Sequence, residues 1–168
     1  MNLNSFQSDR LDFRPFCESD LDALVSILSN KEVCEYLPVE NPYTQEQVSR
    51  VLNYFIKTFV IEKKNLHFIC SLKGTNTVVG YAGCSYIKEY DCNEIEYFLK
   101  PEYFGNGYAS EMAFEMKKVA TELGLTHLVG LAHIDNIPSQ KILEKLGYEF
   151  KNNVVHWDCP LKYYELKI

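Results

Sequence analysis

Three groups of residues in this chain have types and spacings that suit them to chemistry. The first is Gly105-Asn106-Gly107-Tyr108-Ala109, where a strand gives way to an amphipathic helix. Backbone N–H groups at a helix N-terminus lack intrahelical partners and carry the positive end of the helix dipole, and glycine lets an anion approach the main chain without meeting a Cβ. Asn-Gly is also a hairpin signal. The residues that follow decide against a hairpin: Ala109, Met112, Ala113, Met116, Val119, Ala120 and Leu123 recur at three-four spacing, and Gly124 stands where a C-cap glycine would. The segment therefore reads as a phosphate cradle. The second group is Glu94 and Glu96, two apart on a predicted strand, so both carboxylates project from one face. Such a pair raises the pKa of one member and holds a cationic substrate before it loses its proton, although a solvated strand face accounts for the same residues. The third is Asn136 with Pro138 and Ser139, the residue types of a capped helix start.

Composition narrows what these groups act on. At 168 residues and 46% apolar content the chain suits one domain, residues 1–168, with a sizeable core. A net charge of −6 and a pI near 5.2 exclude a nucleic-acid partner and permit a cationic one. An anionic ligand must then be held locally, by oriented amides. No apolar run approaches 18 residues and the polar start Met1–Asp9 lacks a signal-peptide pattern, so no membrane association and a cytoplasmic location are expected. The cysteines Cys17, Cys34, Cys70, Cys84, Cys92 and Cys159 form no C-x-x-C pair and have no histidine at zinc spacing; they read as reduced, mostly core residues, with no metal.

The elements that position the three groups follow from periodicity. Arg10–Phe16 alternates as a half-buried strand. Ser19 with Asp22 is expected to cap a helix carrying Leu21, Leu24, Val25 and Leu28, and Thr44 with Gln47 opens a second helix that buries Val48, Val51, Leu52, Phe55, Ile56 and Phe59. Between them Lys31–Tyr43, with Pro38, Pro42 and the aromatic Tyr36 and Tyr43, is expected to form a loop that meets substrate. Leu66–Leu72, Thr77–Lys88 and Asn93–Lys100 read as a three-stranded meander. After the glycine helix come a strand (His127–His133), a helix (Ile137–Leu146) and two closing strands (Tyr148–Trp157, Leu161–Ile168). This order describes a mixed α/β fold with one central sheet.

From Arg10 to about Trp157 the chain resembles the GNAT-type N-acetyltransferases, and within them the ribosomal-protein N-terminal acetyltransferases of the RimJ/RimL type. The fragments that carry the resemblance occur in order: Arg10-Leu11-x-x-Arg14-Pro15, Glu35-Tyr36-Leu37-Pro38, Pro42-Tyr43-Thr44, Glu94-Ile95-x-Tyr97, Pro101-Glu102-Tyr103-Phe104-Gly105-x-Gly107-Tyr108-Ala109, and Asn136-x-x-Ser139 running to Glu144-Lys145-Leu146-Gly147-Tyr148. The resemblance implies a mostly antiparallel sheet splayed between the strand before and the strand after the glycine helix, with helices on both faces. It implies acetyl-coenzyme A as cosubstrate, with the pantetheine arm along Phe98, Leu99 and Lys100 and the pyrophosphate at Gly105, Asn106, Gly107, Tyr108 and Ala109. Where many family members have Gln or Arg, this chain has Phe104, so main-chain amides must do more of the holding. Asn136 is implied as a pantetheine contact.

Acetyl transfer needs a base for the amine proton, a donor for the developing oxyanion and a proton for the departing thiolate. On the resemblance Glu94 is the base, while Glu96 stands where a small residue is more usual in the family and is read from the carboxylate pair itself as the substrate anchor. Counting seven residues on from Asn136, where many relatives have a tyrosine, reaches Leu143; the resemblance to the RimJ/RimL type, in which a serine three after the asparagine lies near the sulfur, implies Ser139 as the candidate acid, and a main-chain N–H near Leu99 is the expected oxyanion donor. Tyr36 and Tyr43 are expected at the acceptor entrance. His67 and His127 read as structural residues without acidic neighbours, and Lys117 and Lys118 as a solvated helix face. The expected activity is transfer of acetyl to a primary amine, a protein or peptide N-terminal α-amine, by direct attack in a ternary complex. The alternatives are a small amine acceptor such as a polyamine or antibiotic, or a noncatalytic acyl-coenzyme A binding module; a homodimer is left open.

Overall fold

The meander expected from three apolar runs is present, and it forms the middle of a larger sheet. A computed structural model describes residues 3–61 and 65–168; Met1 and Asn2, which open the polar N-terminal stretch, and residues 62–64 lie outside the described residues. The strands are β1 (Phe6–Gln7), β2 (Leu11–Pro15), β3 (Leu66–Leu72), β4 (Val78–Ile87), β5 (Cys92–Leu99), β6 (His127–His133), β7 (Glu149–His156) and β8 (Cys159–Lys167). They lie in the order β1-β2-β3-β4-β5-β6-β8-β7. Every neighbouring pair is antiparallel except β5 and β6.

The helices are α1 (Leu21–Leu28), α2 (Lys31–Cys34), α3 (Gln45–Ile61), α4 (Tyr108–Glu122) and α5 (Ile137–Leu146). Leu24, Ile27 and Leu28 of α1 and Val48, Leu52 and Phe55 of α3 pack on Phe16, Ile69 and Tyr81, covering one face of the sheet. Met112, Ala113, Met116, Val119 and Ala120 of α4, with Leu143 and Leu146 of α5, pack on Phe13, Phe68, Ile95, Leu99 and Leu128 on the other. Each large apolar side chain removed from water in this way contributes about 1.5–3 kcal/mol, so the helical stripes dictate which side of each helix meets the sheet.

Several local readings change. A 3-10 turn, Glu18–Asp20, precedes α1, and Asp20 rather than Ser19 organises its start. The buried Asp20 carboxylate accepts from the Cys17 amide at 2.8 Å and takes a bidentate pair from Arg14 at 2.8 and 2.7 Å, a charge-assisted fork that Ser19 has no means to match. The Thr44–Gln47 capping box is reciprocal, at 2.7 and 3.3 Å. The Lys31–Tyr43 segment begins with the short helix α2, capped by Asn30. Lys117 and Lys118 are not merely solvated: Lys117 donates to the Leu146 carbonyl that ends α5, and Lys118 pairs with the buried Glu115. The cysteines are free, and all but Cys17 are buried.

Candidate active site

The parallel pair β5 and β6 is short. Asn93 faces Leu128 and Glu94 faces Val129, and there the pairing ends. With Glu94 opposite Val129, the next β6 amide directed toward β5 is that of Leu131. It donates to Glu94 Oε1 at 2.9 Å. A side-chain carboxylate thus occupies the place of the next rung, and the strands part beyond it. On the other edge of β5 the ladder to β4 continues as far as Leu99, and the Lys100 amide donates to Val79 O at 2.9 Å. Because successive residues of a strand direct their amides to opposite edges, Tyr97 and Leu99 aim theirs into the gap.

Glu94 and Glu96 lie on the face covered by α1 and α3, the same face as Phe98, which stacks on Tyr81 at 4.7 Å. Their environments push them apart. Burial, then the charge of Glu96, pushes Glu94 up to about 8, against a smaller opposing contribution from the Leu131 amide. Burial also opposes ionisation of Glu96, but the hydrogen bond from His67, the charge interaction with the same ring and then the hydrogen bond from Ser85 together outweigh it and hold the group below the usual carboxylate range. Tyr43 stands beside this pair: burial, Cys34 and Glu96 all raise its phenol. Tyr36 sits at the end of β6, its ring 5.5 Å from that of His133. His67 lies 3.3 Å from Glu96, so the reading of a histidine without acidic neighbours is corrected. The cause is a contact across two strands, which strand periodicity does not register. His127 likewise has an acidic neighbour, Glu165, at 3.9 Å.

The opposite face carries α4 and its glycine segment. Gly105 and Gly107 adopt φ of 75° and 79°, the left-handed region open to glycine, and bend the chain around Asn106. A Cβ at Gly105 would meet nothing within 4 Å and one at Gly107 only the Arg10 guanidinium at 3.5 Å, so the concave side of the turn is open. Gly107, the N-cap of α4, has no side chain to cap the helix amides. Open space, two glycines and uncapped amides fit a pyrophosphate. The structure also supplies a cation that sequence reading overlooked. Arg10, just before β2, donates to Asn106 O at 3.0 Å and to Glu111 at 2.7 Å, and lies 4.4 Å over the Tyr108 ring. Phe104, in the position of the missing side-chain donor, is exposed. In the sequence the arginine belongs to a strand motif, and nothing local links residue 10 to residue 106.

Behind the gap on this same face, Asn136 Oδ1 accepts from the Ser139 amide at 3.1 Å and caps α5. Ser139 Oγ is left to meet Tyr97 OH at 2.8 Å. Burial raises the Tyr97 phenol to about 12, with the Ser139 hydrogen bond opposing and the Glu94 charge assisting. Tyr97, two residues from Leu99 and facing away from the carboxylates, is a second residue the sequence reading left without a role. Its place in Glu94-x-x-Tyr97 was the available signal, since odd spacing from Glu94 sends it to the α5 side. Among the cofactor residues read from sequence, Phe98 and Leu99 send their side chains to opposite faces, so the strand offers the gap its main chain rather than a side-chain wall. No group of histidine, cysteine and carboxylates suited to a metal occurs among the described residues.

A sheet that parts between β5 and β6, with an open glycine turn on one face and a carboxylate pair on the other, is an arrangement suited to acyl transfer. The model of the acetyltransferase (GNAT) domain matches residues 10–149, and the chain belongs to that family. It is 28% identical over 145 residues to YoaA of Bacillus subtilis, an uncharacterized N-acetyltransferase, covering 85% of this chain and 81% of that one. A GNAT-family acetyltransferase from Bacillus anthracis is 27% identical and superposes with a TM-score of 0.80 over 97% of this chain and 98% of its own. The structure of RimL, described as a ribosomal L7/L12 α-N-protein acetyltransferase, shares the fold at 15% identity, with a TM-score of 0.79 over 96% and 92% of the two chains. The chain is an N-acetyltransferase with the mostly antiparallel, splayed sheet expected of it.

Proposed function

We propose that residues 1–168 act as one domain that acetylates a primary amine of low pKa, with a peptide or protein N-terminal α-amine as the acceptor class, in the cytoplasm. The observation that carries this reading is the gap between β5 and β6. It opens to the carboxylate pair on one face and to the glycine loop, Tyr97 and Ser139 on the other, so an amine and a thioester approach from opposite sides and meet between the strands without a covalent enzyme intermediate. Acetyl-coenzyme A, when bound, supplies the activated acyl group. The residues to hold it are Gly105, Asn106, Gly107, Tyr108 and Ala109 at the phosphates, Arg10 beside them, and Phe98, Leu99, Lys100 and Asn136 along the arm.

The chain's own groups divide the work. Glu96, ionised, binds the ammonium form of the acceptor, with Tyr36 and Tyr43 at the entrance. Glu94 takes the first proton, directly or through water. The amides of Tyr97 and Leu99 are the donors for negative charge developing on a carbonyl oxygen in the gap. Ser139 donates toward sulfur while Tyr97 donates to Ser139, an arrangement in which each hydrogen bond polarises the next. The likeness to RimL supports a protein N-terminus at the level of the fold alone, and the proton balance supports it independently. An α-amine with pKa about 7.7–8.0 nearly matches Glu94, whereas a lysine near 10.4 does not. A screen of amine acceptors with thiol release as readout tests the reading: peptides with free N-termini should be acetylated faster than lysine side chains, and the reverse order would overturn it. Acetylation confined to polyamines or aminoglycosides would favour the small-amine alternative.

A further inference from the structure

His67 of β3, Gly83 of β4 and Glu96 of β5 stand in one row across the sheet, His67 paired with Gly83 and Gly83 with Glu96. Side chains two strands apart start roughly 9.5 Å from one another and are ordinarily separated by the side chain between them. Gly83 has none, and a Cβ there would lie 2.4 Å from His67 Cδ2. The ring lies across that vacancy. Its Nε2 comes within 3.3 Å of Glu96 Oε1 and 3.0 Å of Ser85 Oγ, and Ser85 donates to the same carboxylate oxygen. His67 is 1% exposed and lies flat on Phe55, ring centres 3.8 Å apart and planes within 15°, with the Tyr54 ring 6.5 Å away.

This setting selects a tautomer. Nδ1 is buried without a hydrogen-bond partner among the described residues. A proton there would be an orphaned donor, and Nε2 would then turn a lone pair toward a carboxylate. A proton on Nε2 removes both faults, so Nε2–H donates to Glu96. The other groups facing the cluster are Glu94 on β5, Tyr81 and Ser85 on β4, Tyr54 on α3, Tyr43 before α3, Cys34 of α2 and, through the sheet, Cys84. Burial first, and neighbouring charge second in several cases, pushes Glu94, Tyr81, Tyr43, Cys34 and Cys84 above their ordinary values. Glu96 alone among these shifted groups moves the other way.

We infer that His67 is the positioning residue of the acceptor site: through the vacancy at Gly83 it holds the Glu96 carboxylate ionised and aimed, so that Glu96 binds the acceptor's ammonium group while the proton changes of the pair fall on Glu94. The inference rests on the acetyltransferase reading and adds to it the fixed charge that selects a cationic acceptor. It involves no covalent step for His67, which touches neither cosubstrate nor the reacting amine.

The test combines kinetics with a titration that needs no turnover. His67→Phe keeps the stacking on Phe55 and removes the donor; KM for a short peptide with a free N-terminus should rise about tenfold or more, the scale of a lost hydrogen bond to a charged group. KM for an alkoxyamine, neutral throughout the assay range, should stay within about twofold, because it has no charge for Glu96 to bind. In a Glu96→Gln background His67→Phe should add nothing, since the group it acts through is gone. His67→Gln, which carries an N–H donor of similar reach, should recover most of the loss, and Gly83→Ala should imitate His67→Phe by displacing the ring. In the unliganded protein, 13C titration of glutamate carboxyls, with Glu96 identified by its absence in Glu96→Gln, should show its midpoint moving upward by about one pH unit in His67→Phe. A folded His67→Phe with unchanged peptide KM, an unmoved Glu96 midpoint, additive losses in the double variant, or His67→Gln falling as far as His67→Phe would each overturn the inference. Should His67→Phe fail to fold, Gly83→Ala and His67→Gln decide it. If the wild-type protein acetylates no amine, the functional reading fails, and the carboxyl titration still decides whether His67 holds Glu96 ionised.

Discussion

Replacing Glu94 by glutamine preserves the side chain's shape and an oxygen for the Leu131 amide, and removes only its capacity to take a proton. The expected magnitude follows from the proton balance. With Glu94 at about 8 and a peptide α-amine at about 7.7–8.0, a proton passes between them at almost no cost. Were Glu94 at its ordinary value of 4.5, the same transfer would leave neutral amine beside the protonated acid in only about one part in 2,000. A lysine near 10.4 facing an acid at about 8 gives about one part in 250. The Glu94→Gln enzyme must instead wait for amine that has lost its proton to solvent, roughly a tenth of the total at pH 7, and it has no positioned group for the transfer. Turnover on a short peptide at pH 7 should therefore fall about 10²-fold or more, with acetyl-coenzyme A affinity by calorimetry nearly intact. The wild-type rate should climb from pH 6 to 8 as Glu94 becomes the carboxylate. The deficit of the variant should narrow toward pH 9, where solvent has already taken the amine proton, and should be smallest for an alkoxyamine at any pH. Equal rates for variant and wild type from pH 6 to 9 would refute the assignment of Glu94, and acetylation confined to lysine side chains would refute the acceptor class.

Gly107→Val forces a β-branched residue to a φ of 79° at the mouth of the loop and should weaken acetyl-coenzyme A binding tenfold or more in calorimetry while the protein remains folded; unchanged affinity would remove the loop from the cosubstrate site. Arg10→Met should weaken the same binding with less effect on acceptor KM, and the reverse pattern would return Arg10 to a purely structural pairing with Glu111. Ser139→Ala and Tyr97→Phe should each lower turnover with little change in melting temperature, because the capping oxygen of α5 belongs to Asn136; Asn136→Ala should cost about 1 kcal/mol of stability in denaturant titration. Thermal stability should also carry the mark of Glu94. Its folded value lies above 4.5, so the native state retains a proton that the unfolded chain has released, and the stabilisation present at low pH is lost progressively between about 4.5 and about 8. That slope should be absent in Glu94→Gln.

Much of this molecule is legible locally and its active site only in part. The stripe from Ala109 to Leu123 marks α4, the Thr44–Gln47 box marks the start of α3, and His127–His133 and Ile137–Leu146 coincide with β6 and α5, because each depends on residues within one or two turns of the chain. Period two likewise puts Glu94 and Glu96 on one face. What periodicity leaves open is which residue of another strand, loop or helix comes alongside, and every overlooked part of the site is of that kind. Arg10 reaches the loop at Asn106, Tyr97 meets Ser139, and His67 meets Glu96, separations set by sheet order and register rather than by spacing along the chain. For His67 the local hint is Gly83. A glycine within the strand pattern Val78–Ile87 signals a close approach, and here the approaching group is His67. The gap itself is anticipated only through the family resemblance, because it depends on where pairing stops. It stops where the Glu94 carboxylate takes the Leu131 amide that a β5 carbonyl would otherwise claim. The side chain assigned to the amine proton is therefore also the one that ends the ladder. For that reason Glu94→Gln, which keeps the Leu131 acceptor, isolates the proton, whereas Glu94→Ala would leave the amide unpaired at the point where the strands divide and perturb the gap and the chemistry together.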